Sequence, residues 1–480
     1  MAVRAQPADQ PLVSPSDWEQ FAERLGVARR RAASSRADGV LAAITIDVPG
    51  DLDATAVVAA SRQPGEPWFV LEQPDRDAAV LAALGSVVEL EDRGAGRFDR
   101  LAARWRALAG AAVCDPADGP RGSGLIATGG FAFTDDGGQT PEWSGFAPAS
   151  LLVPEIAFAR RGDEVRLTVA ARVCPDDDPD AVLTRLRDRV ARLRFEPLPL
   201  WDPDPAERSR VVSVMPPAHY EQAVARATER IAAGELEKVV LAREVDVHAR
   251  TPHDPAAILG VLREAFPSCF IFAVGRGDAT LVAASPELLV RRDGLRAGTL
   301  ALAGSTRRSA EPSVDRHLGE QLLRSAKDRE EHAIVIRRIA EALGPLSVWV
   351  TTPDEPVTVQ VANIQHLATP IRAQLARPVS VLSLAGTLHP TPAVGGEPLA
   401  AAAPMIPALE GLDRGWYAGP VGWVDTNEDG EFCVALRCAL LRGPLARLYA
   451  GVGVVRESDP AAELAETDVK LQALLPVLSG

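Results

Sequence analysis

The chain has 480 residues, 47% hydrophobic and 24% charged, with 51 Lys and Arg against 65 Asp and Glu. The net charge of −14 argues against a general nucleic-acid binder, and the composition argues against a disordered or fibrous chain. Both leave room for an anionic small substrate, because a local site can be positive inside a negative protein. The five cysteines (Cys114, Cys174, Cys269, Cys433, Cys438) have no CxxC spacing, so neither a disulfide framework nor a zinc site is expected. A reducing cytoplasm fits this usage. No signal-peptide pattern opens the sequence. The longest apolar run, Leu399 to Leu409, is 11 residues with two prolines, too short to span a bilayer.

In chain order, residues 1–37 read as a loosely structured segment holding a short helix around Trp18–Arg31. Short apolar runs between turn signals follow at 41–48, 67–73, 129–133, 151–160 and 164–173; the last alternates as a strand does. Asp180–Arg194 has helical spacing. The stretch WDPDPAERS (201–209) reads as a linker. It divides an N-terminal portion, 38–205, from a C-terminal portion, 206–480, that is denser in motifs. There the pattern predicts a helix over 220–233, a long strand over 238–247, a helix near 255–265 and strands at 269–275 and 279–286. One long helix near 315–343, a strand at 347–352 and a hairpin near 421–440 complete the reading. Strands and helices mix without strict βα alternation, which predicts an α+β fold with largely antiparallel sheet.

Some motifs reduce to ordinary structure. AGVGVVRES (450–458) holds Gly-x-Gly, but Arg456 stands where a dinucleotide fingerprint needs its third glycine, so a strand with close backbone approach is the reading. DTNEDG (425–430) begins like a calcium loop, but Leu436 stands at the twelfth position, and a hairpin turn is expected. Glu463 and Glu466 lie i, i+3 on a helix that opens at Asp459-Pro460, with Lys470 four residues on. Both carboxylates share one helix face, where they could share a cation or face solvent.

The segments GELEKVVLAR (234–243), SPELLV (285–290), ALAGSTRR (301–308), KDREEH (327–332), NIQHL (363–367), LHPTPAVGG (388–396), DRGWYAGPVGWVD (413–425), VALR (434–437) and YAGVGVV…PAAELAETDVK (449–470) occur in this order. Together they resemble the chorismate-utilising enzymes, closely over 210–475 and more weakly before. Two positions place the chain among them. Lys238 stands before Val-Val-Leu, where isochorismate and salicylate synthases carry Lys and the aminating members Gln. The run Pro392-Ala393-Val394 is similar to that of isochorismate synthases, and the long N-terminal portion is more similar to the menaquinone-pathway type than to the siderophore type.

The resemblance implies a large α+β sandwich of two mainly antiparallel sheets flanked by helices. It implies chorismate as substrate, Mg²⁺ as cofactor and no glutaminase partner. The reaction is an isomerisation: water attacks C2 and the C4 hydroxyl leaves. Lys238 is then the base, which must be neutral to accept a proton, and Glu287 the acid, which must be protonated. Glu331 and Glu466 would hold Mg²⁺, with Glu463 adjacent or acting through water. Arg437 and Lys470, with the backbone near Gly304 and Gly451, would grip carboxylates. His366 and Ser305 would lie near the ring, with Thr306 as an alternative hydroxyl. His389 would organise the loop before Ala393. Salicylate synthase, which also eliminates pyruvate, and a catalytically silent chorismate-binding protein are the alternatives.

Overall fold

A computed structural model describes residues 11–35, 38–202, 208–361 and 364–480. Two antiparallel sheets carry the architecture. The larger, of 12 strands, runs in the order 40–48, 164–173, 156–161, 79–84, 65–73, 270–277, 279–285, 438–442, 445–454, 238–248, 396–397, with 210–213 also beside 238–248. The smaller, of 10 strands, runs 347–351, 364–375, 296–307, 288–293, 430–434, 420–425, 126–131, 149–153, 88–92, with 357–361 also beside 364–375.

The two portions of the chain share both sheets. Strand Gly65–Gln73 pairs with Phe270–Gly277, and Ile126–Phe131 with Pro420–Asp425. The larger core contains Trp105, Phe131, Trp143, Phe146, Trp416 and Phe432, all nearly inaccessible. Edge-to-face contacts, such as Trp143 on Phe146 and Phe146 on Trp416, fix the rings against one another. A second core joins the larger sheet to helices including Pro15–Ser35 and Pro255–Ala265, through Phe21, Leu25, Leu259 and Leu262.

Several elements differ from the sequence reading. The N-terminal helix spans 21 residues, Pro15–Ser35, and is packed: Trp18, Phe21, Leu25, Ala28 and Ala32 form its buried stripe. Looseness is therefore not a property of residues 15–35, while residues 1–10, 36 and 37 lie outside the described ones. The apolar run 151–160 is two strands in different sheets, Ala149–Val153 and Ile156–Arg161, separated at Pro154. The long helix near 315–343 is two helices, Pro312–Arg324 and Ala326–Leu343, broken at Ser325, whose hydroxyl accepts from the Asp328 N–H at 3.3 Å. Of the linker, 203–207 lies outside the described residues, but its flanks are anchored: Trp201 Nε1 donates to the Val477 carbonyl at 2.9 Å.

Candidate active site

One cavity gathers side chains from many elements. Its walls include Glu287, Gly304, Ser305, Glu331, His366, Ala393, Arg437, Gly451, Glu463, Glu466 and Lys470. These are eleven of the twelve residues expected from sequence. The twelfth, Lys238, is fully buried just behind, with its Nζ 2.8 Å from Glu331 Oε1.

Local structure explains the convergence. Lys238 opens the strand Lys238–His248, whose neighbour Leu445–Val454 places Gly453 across from Val240 and Gly451 across from Ala242. A Cβ at Gly453 would lie 2.5 Å from Glu331 Oε1 and 2.8 Å from Lys238 Cε, and one at Gly451 would lie 2.8 Å from the Tyr417 hydroxyl. The Gly-x-Gly of this strand therefore makes room for the side chains of the site. Glu463, Glu466 and Lys470 follow one face of helix Pro460–Leu471, which Asp459 caps by accepting from Ala462 N–H at 2.9 Å. Lys327, Asp328 and Glu331 come from the first turns of helix Ala326–Leu343. Gly304, at φ 74°, sits at a break in register between Arg296–Arg307 and Ile364–Leu375. That conformation favours glycine.

The charges fall into two groups. Glu287 is 4% exposed, and burial pushes its carboxyl up to about 8, although Lys238 and Lys470 pull the other way. It is therefore mostly protonated at neutral pH. Arg437 is buried, which lowers its pKa, and its Nη1 has no hydrogen-bond partner. Its Nη2 donates to His366 Nε2 at 2.8 Å. Burial, then Arg437 and Lys470, hold His366 well below the usual histidine range, so the imidazole is neutral. A buried guanidinium with a spare donor is matched to an incoming carboxylate.

The second group is an acidic wall threaded with lysines. Burial acts against ionisation of Glu466, but Lys470 at 2.8 Å and the Ser305 hydroxyl, donating to Oε1 at 2.8 Å, outweigh it and hold the carboxyl low. Glu463 is pushed up, first by burial and further by Glu466, while Lys327 at 3.2 Å pulls it down. Asp328 is raised by burial, with Glu331 adding to the effect. Among the described residues no three His, Cys, Asp or Glu converge as a ready metal cage. Mg²⁺ needs less, because one or two carboxylates suffice when substrate and water complete its shell. Hard oxygen donors that repel one another along one wall fit such a cation.

Ser305 faces the cavity, and Thr306 is not among its lining residues. His389 is not on the cavity either; its Nε2 is 2.9 Å from the Phe133 carbonyl. The sequence reading missed Lys327, Asp328, Tyr417 and Tyr449, which also line the cavity. Tyr417 stacks on Tyr449 with centroids 5.0 Å apart, and the Tyr449 hydroxyl is buried without a hydrogen-bond partner. Three of the four lay inside quoted motifs, KDREEH and DRGWYAG, and Tyr449 opens another.

A family described as chorismate binding enzyme matches residues 28–479. The chain belongs to this family. It is 38% identical over 450 residues to a salicylate biosynthesis isochorismate synthase of Pseudomonas aeruginosa, covering 92% of this chain and 90% of the relative. To isochorismate synthase MenF of Bacillus subtilis it is 35% identical over 361 residues, 74% of this chain and 75% of that one. The structure of MenF, the menaquinone-specific isochorismate synthase from Escherichia coli, superimposes with a TM-score of 0.78 at 27% identity, covering 97% of this chain and 99% of that one. Chorismate-binding relatives of both the salicylate and the menaquinone type thus share the long N-terminal portion. No helix among the described residues is long and apolar enough to cross a membrane.

Proposed function

We propose that this chorismate-binding enzyme is an isochorismate synthase that isomerises chorismate to isochorismate with Mg²⁺. The observation that carries the proposal is a cavity walled by a glutamic acid held near 8, with a fully buried lysine directly behind it. The identity with isochorismate synthases over nearly the whole chain supports it.

Lys238 takes the proton of the water that attacks C2. The ring double bonds shift, and Glu287 gives its proton to the C4 hydroxyl, which departs as water. Turnover leaves Lys238 protonated and Glu287 ionised. A proton must therefore return from the Lys238 ammonium to the Glu287 carboxylate before the next turnover. Arg437 offers its spare Nη1 to a substrate carboxylate, and neutral His366 fixes that guanidinium in place. Glu331 and Glu466 would hold Mg²⁺, with Glu463 alongside; the bound ion supplies positive charge to a substrate carboxylate and a counter-charge to Glu331. Lys470, anchored on the Gly451 carbonyl at 3.0 Å, keeps the rim of the site cationic. Because the nucleophile is water, no glutaminase is required.

The free state of all five cysteines fits a cytoplasmic enzyme. The end-to-end likeness to MenF supports a place in menaquinone biosynthesis. The 38% identity to the Pseudomonas enzyme favours a second reading, supply of isochorismate to salicylate or siderophore synthesis. Purified protein with chorismate and Mg²⁺, followed by chromatography, tests the reaction. A reversible mixture of chorismate and isochorismate is expected. Stoichiometric pyruvate and salicylate would overturn it in favour of salicylate synthase, and no product at all would indicate a silent binding protein.

A further inference from the structure

The strand that carries Lys238 has one incomplete edge. On its other edge, Leu445–Val454 pairs with it from Val239 to His248. On the incomplete one, Gly396–Glu397 covers Lys238 and Val239, and Arg210–Ser213 covers Val245 to His248. Between these two short strands the backbone of Val240 and Ala242 is met by side chains. Arg414 Nη2 donates to the Val240 carbonyl at 2.9 Å, and the Ala242 N–H donates to Glu410 Oε1 at 2.7 Å. The two side chains form an ion pair, with Arg414 Nε on Glu410 Oε2 at 3.0 Å and Nη2 on Oε1. Glu410 is 3% and Arg414 4% exposed.

The remaining arm of the guanidinium reaches the opposite wall of the reaction cavity. Arg414 Nη1 donates to the Val394 carbonyl at 2.8 Å. Val394, Ala393 and Val240 all line the cavity, whereas Glu410 and Arg414 do not. The same loop meets the strand directly, since the Val240 N–H donates to the Gly395 carbonyl at 2.7 Å. The guanidinium also lies 4.2 Å over the ring of Phe133, whose carbonyl meets His389 Nε2 at the start of that loop. Arg414 is itself held in place. Gly411, at φ 68°, ends helix Leu399–Glu410, and the Asp413 carboxylate accepts from the Gly138, Gln139 and Gly415 N–H groups at 2.9, 2.7 and 2.9 Å. A buried ion pair roughly breaks even in stability against apolar side chains of the same volume. What this pair adds is direction: a planar fork that fixes two backbone carbonyls relative to one another.

We propose that Glu410 and Arg414 are positioning residues for the reaction: they lock the Ala393–Val394 loop to the strand of Lys238 and so hold the substrate ring in line with the base. The inference rests on the reaction proposed above and adds the residues that set its geometry. A wall displaced by about 1 Å can cost about 10²-fold in rate while the groups that bind the substrate stay in place. Loss of the pair should therefore appear in kcat and not in KM, because Arg437 and the acidic wall are untouched.

The test is steady-state kinetics with chorismate and Mg²⁺ on the full-length protein, with thermal unfolding of each variant. Arg414→Lys keeps the charge and loses the fork. Its kcat, per folded molecule, is expected to fall about 10–100-fold, with KM for chorismate and the Mg²⁺ needed for half-maximal rate within about threefold of wild type. Glu410→Gln is expected to lower kcat by less, because Arg414 still reaches both carbonyls, and it serves in place of Arg414→Lys if that variant does not fold. Arg263→Lys is the control. Arg263 pairs with Glu72 and Asp53, and none of the three lines the reaction cavity. It should lower the unfolding temperature and leave kcat unchanged. Wild-type kcat in folded Arg414→Lys or Glu410→Gln, whatever their unfolding temperatures, would overturn the inference and leave the reaction standing, as would a loss confined to KM. A wild type that makes no isochorismate would overturn the reaction and the inference with it.

Discussion

Glu287 and Glu466 line the same cavity, and burial disfavours the charge on both, yet their carboxyls end on opposite sides of the ordinary glutamate value. The difference lies in what reaches them. Glu466 has Lys470 one helical turn away and the Ser305 hydroxyl on the same oxygen, so it keeps its charge. Glu287 feels Lys238 and Lys470 as charges, has no ion-pair partner within 4 Å among the described residues, and stays protonated into the neutral range. Identical side chains thus become an acid and an anion through their neighbours alone. A proton donor needs the first environment and a cation ligand the second.

The largest effects should come from the acid–base side. Lys238→Ala and Glu287→Ala are each expected to lower kcat about 10²–10⁴-fold, the usual scale for losing a general base or acid. Chorismate affinity should change far less, because Arg437 and the acidic wall remain. Lys238→Gln should lose hydroxylation equally, and added ammonia is the nucleophile to try as a replacement. Near-normal turnover in Lys238→Ala would assign the base elsewhere.

The acidic wall should fail in a different way. Glu331→Gln and Glu466→Gln should raise the Mg²⁺ concentration needed for half-maximal rate, and EDTA should stop the wild type reversibly. Glu331→Gln also strips Lys238 of its partner at 2.8 Å, so its thermal unfolding temperature should fall, whereas Glu466→Gln should fall less because Lys470 also holds Gly451. An EDTA-treated enzyme with unchanged rate would remove the metal from the scheme.

Titration sharpens the contrast. The folded pKa of Glu287 is raised by burial from the ordinary 4.5 to about 8. The folded state therefore binds more protons than the unfolded one between those values, and stability falls as pH rises through that window. Wild-type unfolding temperature should drop between about pH 5 and 9 more steeply than that of Glu287→Gln. Turnover should decline above about pH 8 as the donor ionises. Parallel stability profiles for the two proteins would show that Glu287 is not held protonated.

The site residues were legible in the sequence through the resemblance of its ordered motifs, and in one case because close spacing along a helix fixes which residues share a face: Glu463, Glu466 and Lys470. What could not be read depended on contacts distant in sequence. A helix face with two glutamates and a lysine can lie in solvent, yet Glu463 is 2% exposed because helix Ala326–Leu343 brings Lys327 to it. The break at Ser325 was hidden because helical periodicity continues across it. Strands Arg296–Arg307 and Ile364–Leu375 form the longest ladder of the smaller sheet, yet Gly298, Gly304 and Pro370 weaken their strand signal, and pairing decides instead. The membership of 151–160 in two sheets is likewise a matter of topology.

The smallest expected effect separates two adjacent hydroxyls. Ser305 and Thr306 were alternatives for the cavity, and successive strand residues point to opposite faces. Only Ser305 lines the cavity, and it donates to Glu466 Oε1. Ser305→Ala removes one of the groups that keep Glu466 ionised, and a hydrogen bond to a charged group contributes about 1.5–3 kcal/mol. Lys470 still pairs with that carboxylate, so a roughly tenfold loss in apparent Mg²⁺ affinity, at the low end of that range, is expected with a modest change in kcat. Thr306→Ala, one residue on, should leave both unchanged. The reverse pattern would mean that Thr306 turns toward the substrate and that Glu466 owes its charge to Lys470 alone, which would narrow the difference between the two glutamates to a single lysine.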